Sequence, residues 1–203
     1  MIELLHLNAS RSRRITWLLE ELGVPYAVTA YQRDATTNLA PPELTAIHPL
    51  GKLPVIRDDG RVIIESGAII EYLVRRYGHG RFQPAMGTLD YDRYMQLLHY
   101  AEGSAMLPLM LRLYVSRLKD AGQPLHARIE SEMQNHLGFL NSELRGRDWF
   151  VGNALSGADF QLSFIAQVAL RFAGRDAYPE LTAFVDRLEA RPAYQAAIAK
   201  HGA

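Results

Sequence analysis

The sequence predicts an α/β domain followed by an all-helical domain. Short apolar runs alternate with amphipathic stretches up to Tyr77. An Asp-Gly turn between two such runs is a strong local hairpin signal. From Leu89 onward the apolar residues recur only at helical spacing.

Ile2 to Leu7 reads as a strand. Ser10 or a neighbour starts a helix carrying Ile15, Leu18, Leu19 and Leu22, which Gly23 and Pro25 stop. Tyr26 to Tyr31 is a second strand, and Pro41 to Ile47 a short helix ending at His48-Pro49. A Gly51-Lys52-Leu53-Pro54 turn feeds a strand from Leu53 to Arg57. The Asp58-Asp59-Gly60 turn leads into a further strand, Arg61 to Ile64. Ser66 is a good N-cap for a helix carrying Ile69, Ile70, Leu73 and Val74 to about Tyr77. The start of that helix, with Glu65 beside Ser66, suits an anionic group. A cis Pro54 would leave the Leu53 backbone free to pair with an extended ligand. The order βαβαββα fits a thioredoxin-like α/β sandwich.

Residues 79–88, rich in Gly and Pro, read as a linker between a domain at 1–78 and a helical domain at 89–203. Helical spacing runs through Leu89–Leu118, Leu125–Leu144, Ala158–Phe172 and Leu181–Leu188. Ser156-Gly157-Ala158-Asp159 has the form of a capping box, flanked by Leu155, Phe160 and Leu162 as a hydrophobic staple. Asp159 is therefore expected to be a cap and not a catalytic acid, worth about 1 kcal/mol.

Lys+Arg and Asp+Glu number 22 each, for a formal net charge of +0. Nothing global favours nucleic acid or an anionic membrane. No run approaches the roughly 18 apolar residues of a membrane span. Acidic Glu3, with no basic segment before an apolar stretch, argues against a secretory signal and for the cytoplasm. The chain has no cysteine, so any thiol chemistry must use a substrate's thiol. His6, His48 and His99 show no metal-ligand spacing, and no metal site is expected.

The stretch GKLPV, a hairpin, then ESGAIIEYL resembles the glutathione-binding half of a glutathione S-transferase. The opening HLNASRSRRITWLLEELGVPY resembles the first strand and helix of the same family, in its bacterial and fungal-like serine-type members. The resemblance covers essentially the whole chain. It implies the fold of that family and, as co-substrate, glutathione, whose thiolate is conjugated to small hydrophobic electrophiles. On the family's pattern Ser66 and the helix N–H groups hold the γ-glutamyl carboxylate, and Glu65 meets the α-amino group. Leu53, before Pro54, pairs with the cysteinyl unit, and Lys52 meets the glycine carboxylate. Ser10, just beyond the first strand, is the expected donor to the thiolate, with Asn8 and Ser12 as the neighbouring candidates. Glu102 reaches a second subunit's γ-glutamyl amine in the expected homodimer.

The resemblance also puts an apolar electrophile pocket between the domains, lined by Tyr100, Met106, Leu109, Met110 and Tyr114. The same residues fit a plain helical core. The cluster Arg11, Arg13 and Arg14 reads as a solvated helix face or as an attractor for the anionic tripeptide. Two other functions stay open: glutathione-dependent disulfide or peroxide reduction, and a non-catalytic interaction module.

Overall fold

The computed structural model describes residues 1–202; residue 203, the last of the expected helical domain, lies outside the described residues. By contacts the chain forms two compact units, Phe82–Leu188 and a first unit made of Met1–Arg81 with the stretch from Glu189 onward. The stretch from Glu189 onward, expected in the helical domain at 89–203, thus belongs by contacts to the first unit.

The first unit contains β1 (Ile2–Leu7), α1 (Ser12–Leu22), β2 (Tyr26–Tyr31), a 3-10 turn (Pro42–Ala46), β3 (Val55–Asp58), β4 (Arg61–Ile63) and α2 (Ser66–Tyr77). The strands form one sheet in the order β2-β1-β3-β4. β1 runs parallel to β2 and antiparallel to β3, and β4 returns antiparallel to β3. This is the α/β fold that the sequence predicts, with the short helix at 42–46 realised as a 3-10 turn. Pro54 has no N–H to place in a ladder, and β3 pairing starts at Val55, opposite Leu5. Hence β3 begins two residues later than its apolar run.

Helix α1 is buried along most of its length, including Trp17, Leu18 and Leu19 at 0% exposure. Gly23 ends it in the left-handed region at φ 68°, returning its N–H to the Leu19 and Glu20 carbonyls. A last helix, α8 (Pro192–His201), packs on α1. It has Pro at its first position and Gly after its end, a usable signal that the apolar periodicity does not reinforce. The Tyr194 ring stands edge-on to Trp17 at 5.7 Å. Arg191 pairs with Glu21 at 2.9 Å, and Lys200 with Glu20 at 2.6 Å. The Tyr26 hydroxyl donates to Glu20 at 2.5 Å and meets His201 Nε2 at 3.0 Å.

His6 of β1 lies under this clamp, 4% exposed, with its Nδ1 lacking a hydrogen-bond partner. Burial, then the fields of His201 on α8 and Arg13 on α1, lower its pKa from 6.5 to about 4. The native state therefore keeps the ring neutral at pH values where the unfolded chain takes up a proton.

The second unit contains α3 (Leu89–Tyr100), a π-helical turn (Ala101–Ala105), α4 (Met106–Val115), a 3-10 segment (Ser116–Gly122), α5 (Gln123–Glu143) and α6 (Gly157–Ala173). Helix α7 (Pro179–Glu189) follows and ends at the boundary of the unit. The single periodic stretch expected from Leu89 to Leu118 is thus broken. Pro108 has no N–H to offer the Ser104 carbonyl, and Met106 N–H bonds instead to Ala101, one residue further back than in an α-helix. Helix α6 is apolar nearly all round and buried accordingly. Asn141 Oδ1 accepts from the N–H groups of Glu180 and Leu181 and so caps α7.

The capping box at Ser156 is present as expected. Asp159 Oδ2 accepts from Ser156 N–H at 2.7 Å and Ser156 Oγ at 2.8 Å. Its Oδ1 accepts from Phe150 N–H at 2.9 Å, which also ties down the preceding loop. Removing it strands buried donors as well as uncapping a helix. Asp159→Ala should cost about 1–3 kcal/mol in urea unfolding, above the usual cap.

The His6 ring gives a pH signature. Its contribution is complete above pH 6.5 and is lost as the pH falls toward about 4. His6→Phe should remove up to about 1.4 kcal/mol per pH unit of acid sensitivity in that window. Thermal melts of both proteins between pH 7 and 4 measure the difference in slope.

Candidate functional site

The sheet register gathers the candidate residues of the first unit at one end. Leu5 pairs with Val55, so the chain leaving β1 at Leu7 and Asn8 runs beside Leu53 and Pro54. Ile56 pairs with Ile63, so the turn through Glu65 and Ser66 comes back beside Pro54. The Leu53–Pro54 bond is cis. Lys52 is exposed and Leu53 half-buried at the same turn.

At this end α2 starts without a side-chain cap. The first bond into the helix runs from Ile69 N–H to the Glu65 carbonyl, leaving the N–H groups of Ser66, Gly67 and Ala68 for an external acceptor. Ser66 is the first helical residue and not the N-cap that the sequence pattern indicated; Glu65 holds the cap position. Ser66 Oγ is turned inward, where it accepts from Arg14 Nη1 at 3.0 Å. Glu65 is exposed and held at φ 66° and ψ 117°, an uncommon conformation for a residue with a Cβ. Backbone strain of that kind costs about 1–3 kcal/mol and concentrates at ligand sites.

The arginine cluster is not a solvated helix face. Arg13 is 8% exposed and Arg14 1% exposed, while Arg11 alone is half-buried. The helical spacing of α1 could not show this, because the burial comes from α2 and α8 packing on it.

The loop after β1 separates the thiol-donor candidates. Ser10 is 7% exposed, and its hydroxyl donates to the Leu7 carbonyl at 2.7 Å while accepting from Ser12 N–H at 3.1 Å. Ser12 is fully buried, and its Oγ accepts from Leu7 N–H at 3.2 Å. Together the two serines close the loop onto the strand end. Asn8 is half-buried, and its Oδ1 accepts from Arg33 N–H at 2.9 Å. A backbone N–H only donates, so the amide oxygen must face it and the amide NH2 points the other way. Ala9, beside it, has φ 46°.

The second unit holds the remaining candidates. Glu102 lies half-buried in the π turn. The Tyr100 hydroxyl meets His136 Nδ1 of α5 at 2.8 Å, and its ring stands edge-on to Phe139. Burial pushes that hydroxyl up to about 12. Met106 and Leu109 are core residues at 3% exposure each, Met110 is half-buried, and Tyr114 is 55% exposed. A cavity of about 730 Å³ opens beside Arg112, Val115, Lys119, His126 and Ile129, and none of the expected pocket residues lines it. Among the described residues no cluster of metal-ligating side chains occurs, and no helix is long and apolar enough to cross a membrane.

Comparison with known proteins adds independent findings. A profile for the glutathione S-transferase N-terminal domain matches residues 10–76, and one for the C-terminal domain of that family matches residues 103–192. The chain is 32% identical to glutathione S-transferase 1 of Saccharomyces cerevisiae, over 94% of this chain and 91% of the relative. It is similar in structure to a glutathione S-transferase from Actinobacillus pleuropneumoniae, with a TM-score of 0.87 and 37% identity, covering 98% and 92% of the two chains. It is also similar to a sphingomonad glutathione S-transferase complexed with glutathione, with a TM-score of 0.80 and 27% identity over 98% of each chain.

The strained residue yields a stability test. Glu65→Gly should leave urea stability unchanged or slightly higher, since glycine adopts positive φ freely. Glu65→Val should lower it by about 1–3 kcal/mol, because a β-branched side chain tolerates that conformation worst.

Proposed function

The chain belongs to the glutathione S-transferase family, and on that premise we propose that it binds glutathione at the start of α2 and transfers its sulfur to a small hydrophobic electrophile. The observation that carries this reading is the uncapped N-terminus of α2, with its N–H groups unsatisfied beside Ser66 and Glu65. An anionic carboxylate answers both the free N–H groups and the positive end of the helix. Glu65, exposed next to it, meets an α-amino group. The Leu53 backbone pairs with the cysteinyl unit, and Lys52 with the glycine carboxylate.

The thiol then lies near the end of β1. A thiol with a pKa of about 8.5 is mostly protonated at pH 7. Lowering it by two units takes about 2.7 kcal/mol of preference for the thiolate. One hydrogen bond to a charged group contributes roughly 1.5–3 kcal/mol. We assign that bond to the Asn8 amide, whose NH2 faces away from Arg33. Ser10, the donor expected from the family pattern, already spends its proton on the Leu7 carbonyl. Its role is to hold the loop that presents Asn8. The thiolate attacks the electrophilic carbon, a C–S bond forms, and the leaving group departs with its electron pair. The thiol proton passes to solvent before the attack.

Tyr114, exposed on α4, remains a candidate for contact with the electrophile, while Met106 and Tyr100 support the helical core around it. Leu107, Leu111 and Tyr114 recur at i, i+4 and i+7 with 57%, 40% and 55% exposure. That apolar stripe supports a homodimer, in which Glu102 reaches the ligand of the second copy. A cytoplasmic setting fits a reaction that consumes reduced glutathione, and detoxification of electrophiles is the role we assign. Reduction of a disulfide by the same thiolate is the second reading.

Turnover separates these assignments. With a haloarene substrate, Asn8→Ala should lower kcat by about 10²–10³-fold, the loss typical of a donor to developing charge. Ser10→Ala should lower the melting temperature and leave kcat within severalfold. Greater turnover of a small mixed disulfide than of the haloarene would favour the second reading.

A further inference from the structure

Asn8 is fastened at two points to the chain leaving β2. Its N–H bonds to the Tyr31 carbonyl at 3.4 Å, and its Oδ1 accepts from Arg33 N–H at 2.9 Å. Arg33 lies beyond the β1–β2 ladder, whose register ends at Leu7 and Tyr31, so no strand holds it. The loop at residues 33–39 holds it instead. Asp34 N–H bonds to the Leu39 carbonyl and Asn38 N–H to the Asp34 carbonyl, each at 2.9 Å. The Arg33 guanidinium donates to the Asn38 carbonyl at 3.1 Å. At the centre of the loop is one oxygen of an exposed carboxylate. Asp34 Oδ1 accepts from Thr37 N–H at 2.7 Å, the Thr37 hydroxyl at 2.8 Å and Thr36 N–H at 3.1 Å. Such a side-chain acceptor substitutes for a backbone carbonyl in closing a turn.

We infer that Asp34 is a positioning residue for the thiolate donor: by closing this loop it places Arg33 N–H, which in turn aims the Asn8 amide. The inference rests on the glutathione reading of the site, with Asn8 as the donor there, and adds the part that fixes its aim. Among the described residues, Arg33 N–H is the one partner of the Asn8 side chain. Without that bond the amide is free to turn about its last torsion and present its oxygen, an acceptor, to the sulfur. A donor has its full effect only within about 2.7–3.1 Å of the charge it stabilises, so a small shift of the loop matters. Thr37 N–H, the Thr37 hydroxyl and Thr36 N–H hold the Asp34 carboxyl below the ordinary carboxylate range. It is therefore ionised wherever a thiol titrates, and the turn keeps its acceptor across that range. The negative charge of Asp34 by itself works against a thiolate. Its field and its positioning role thus have opposite signs.

The test is the ultraviolet titration of the glutathione thiolate on the wild-type protein, Asn8→Ala, Asp34→Ala and the double variant. Asn8→Ala should raise the titration by about one to two pH units, as expected for one hydrogen bond to a charged group. Asp34→Ala should raise it by about half a unit or more, and should add nothing once Asn8 is already replaced. Loss of a nearby negative charge alone would lower the titration, so an upward shift reports the positioning role. Asp34→Asn keeps an acceptor at Oδ1 and should return the titration close to the wild-type value. Asp34 is exposed, so each variant should fold, which thermal melts check. A downward or absent shift in Asp34→Ala, an upward shift that adds to that of Asn8→Ala, or no rescue by Asp34→Asn would overturn the inference, with the glutathione site standing. No shift in Asn8→Ala would move the donor elsewhere and overturn it as well. A wild-type protein with no thiolate band at saturating glutathione would overturn the glutathione reading and this inference together.

Discussion

The constraint on which the site depends is the unsatisfied beginning of α2. A helix start must find partners for its first N–H groups, and here the chain provides none from a side chain. Several costs converge on leaving it so. Glu65 is held at positive φ, Ser66 is turned inward, and a charged Arg14 is buried beneath it. Strain, an open helix end and a buried cation meet at this one point of the fold. The sheet serves the same end, since its register brings the strand ends at Asn8, Pro54 and Glu65 side by side.

Hydrogen-bond direction separates the donor candidates more than residue type does. Serine and asparagine are both competent donors to a thiolate, and three candidates stand within five residues after β1. The Leu7 carbonyl engages Ser10, and Ser12 is buried under Leu7 N–H. Ser12 and Asn8 both accept from a backbone N–H, but Ser12 is fully buried, whereas Asn8 is half-buried and keeps its amide NH2 apart from that bond.

Much of this was legible in the sequence where local rules act alone. The Asp-Gly turn, the Gly-Lys-Leu-Pro run and the Ser156 capping box announce their structures because a few neighbouring residues determine them. The parts that were not legible depend on what packs against what. Arg13 and Arg14 look solvated until α2 and α8 are laid over α1. Ser66 looks like an N-cap because the pattern cannot see that Glu65 adopts φ 66°. The π turn at Ala101–Ala105 follows from a missing N–H at Pro108, seven residues past its start, within an apolar pattern that reads as unbroken helix. Among the candidate residues, Ser66, Glu65 and Asn8 could be named by type and place, but the hydrogen bonds of Ser66 and Asn8 could not be read from the sequence.

The most direct test of the account is the ultraviolet absorbance of the glutathione thiolate on the protein as the pH is varied. The account predicts a thiolate band that saturates with glutathione and titrates at least one unit below the free thiol value of about 8.5. A band that titrates at the free value, or no band at saturating glutathione, would contradict it.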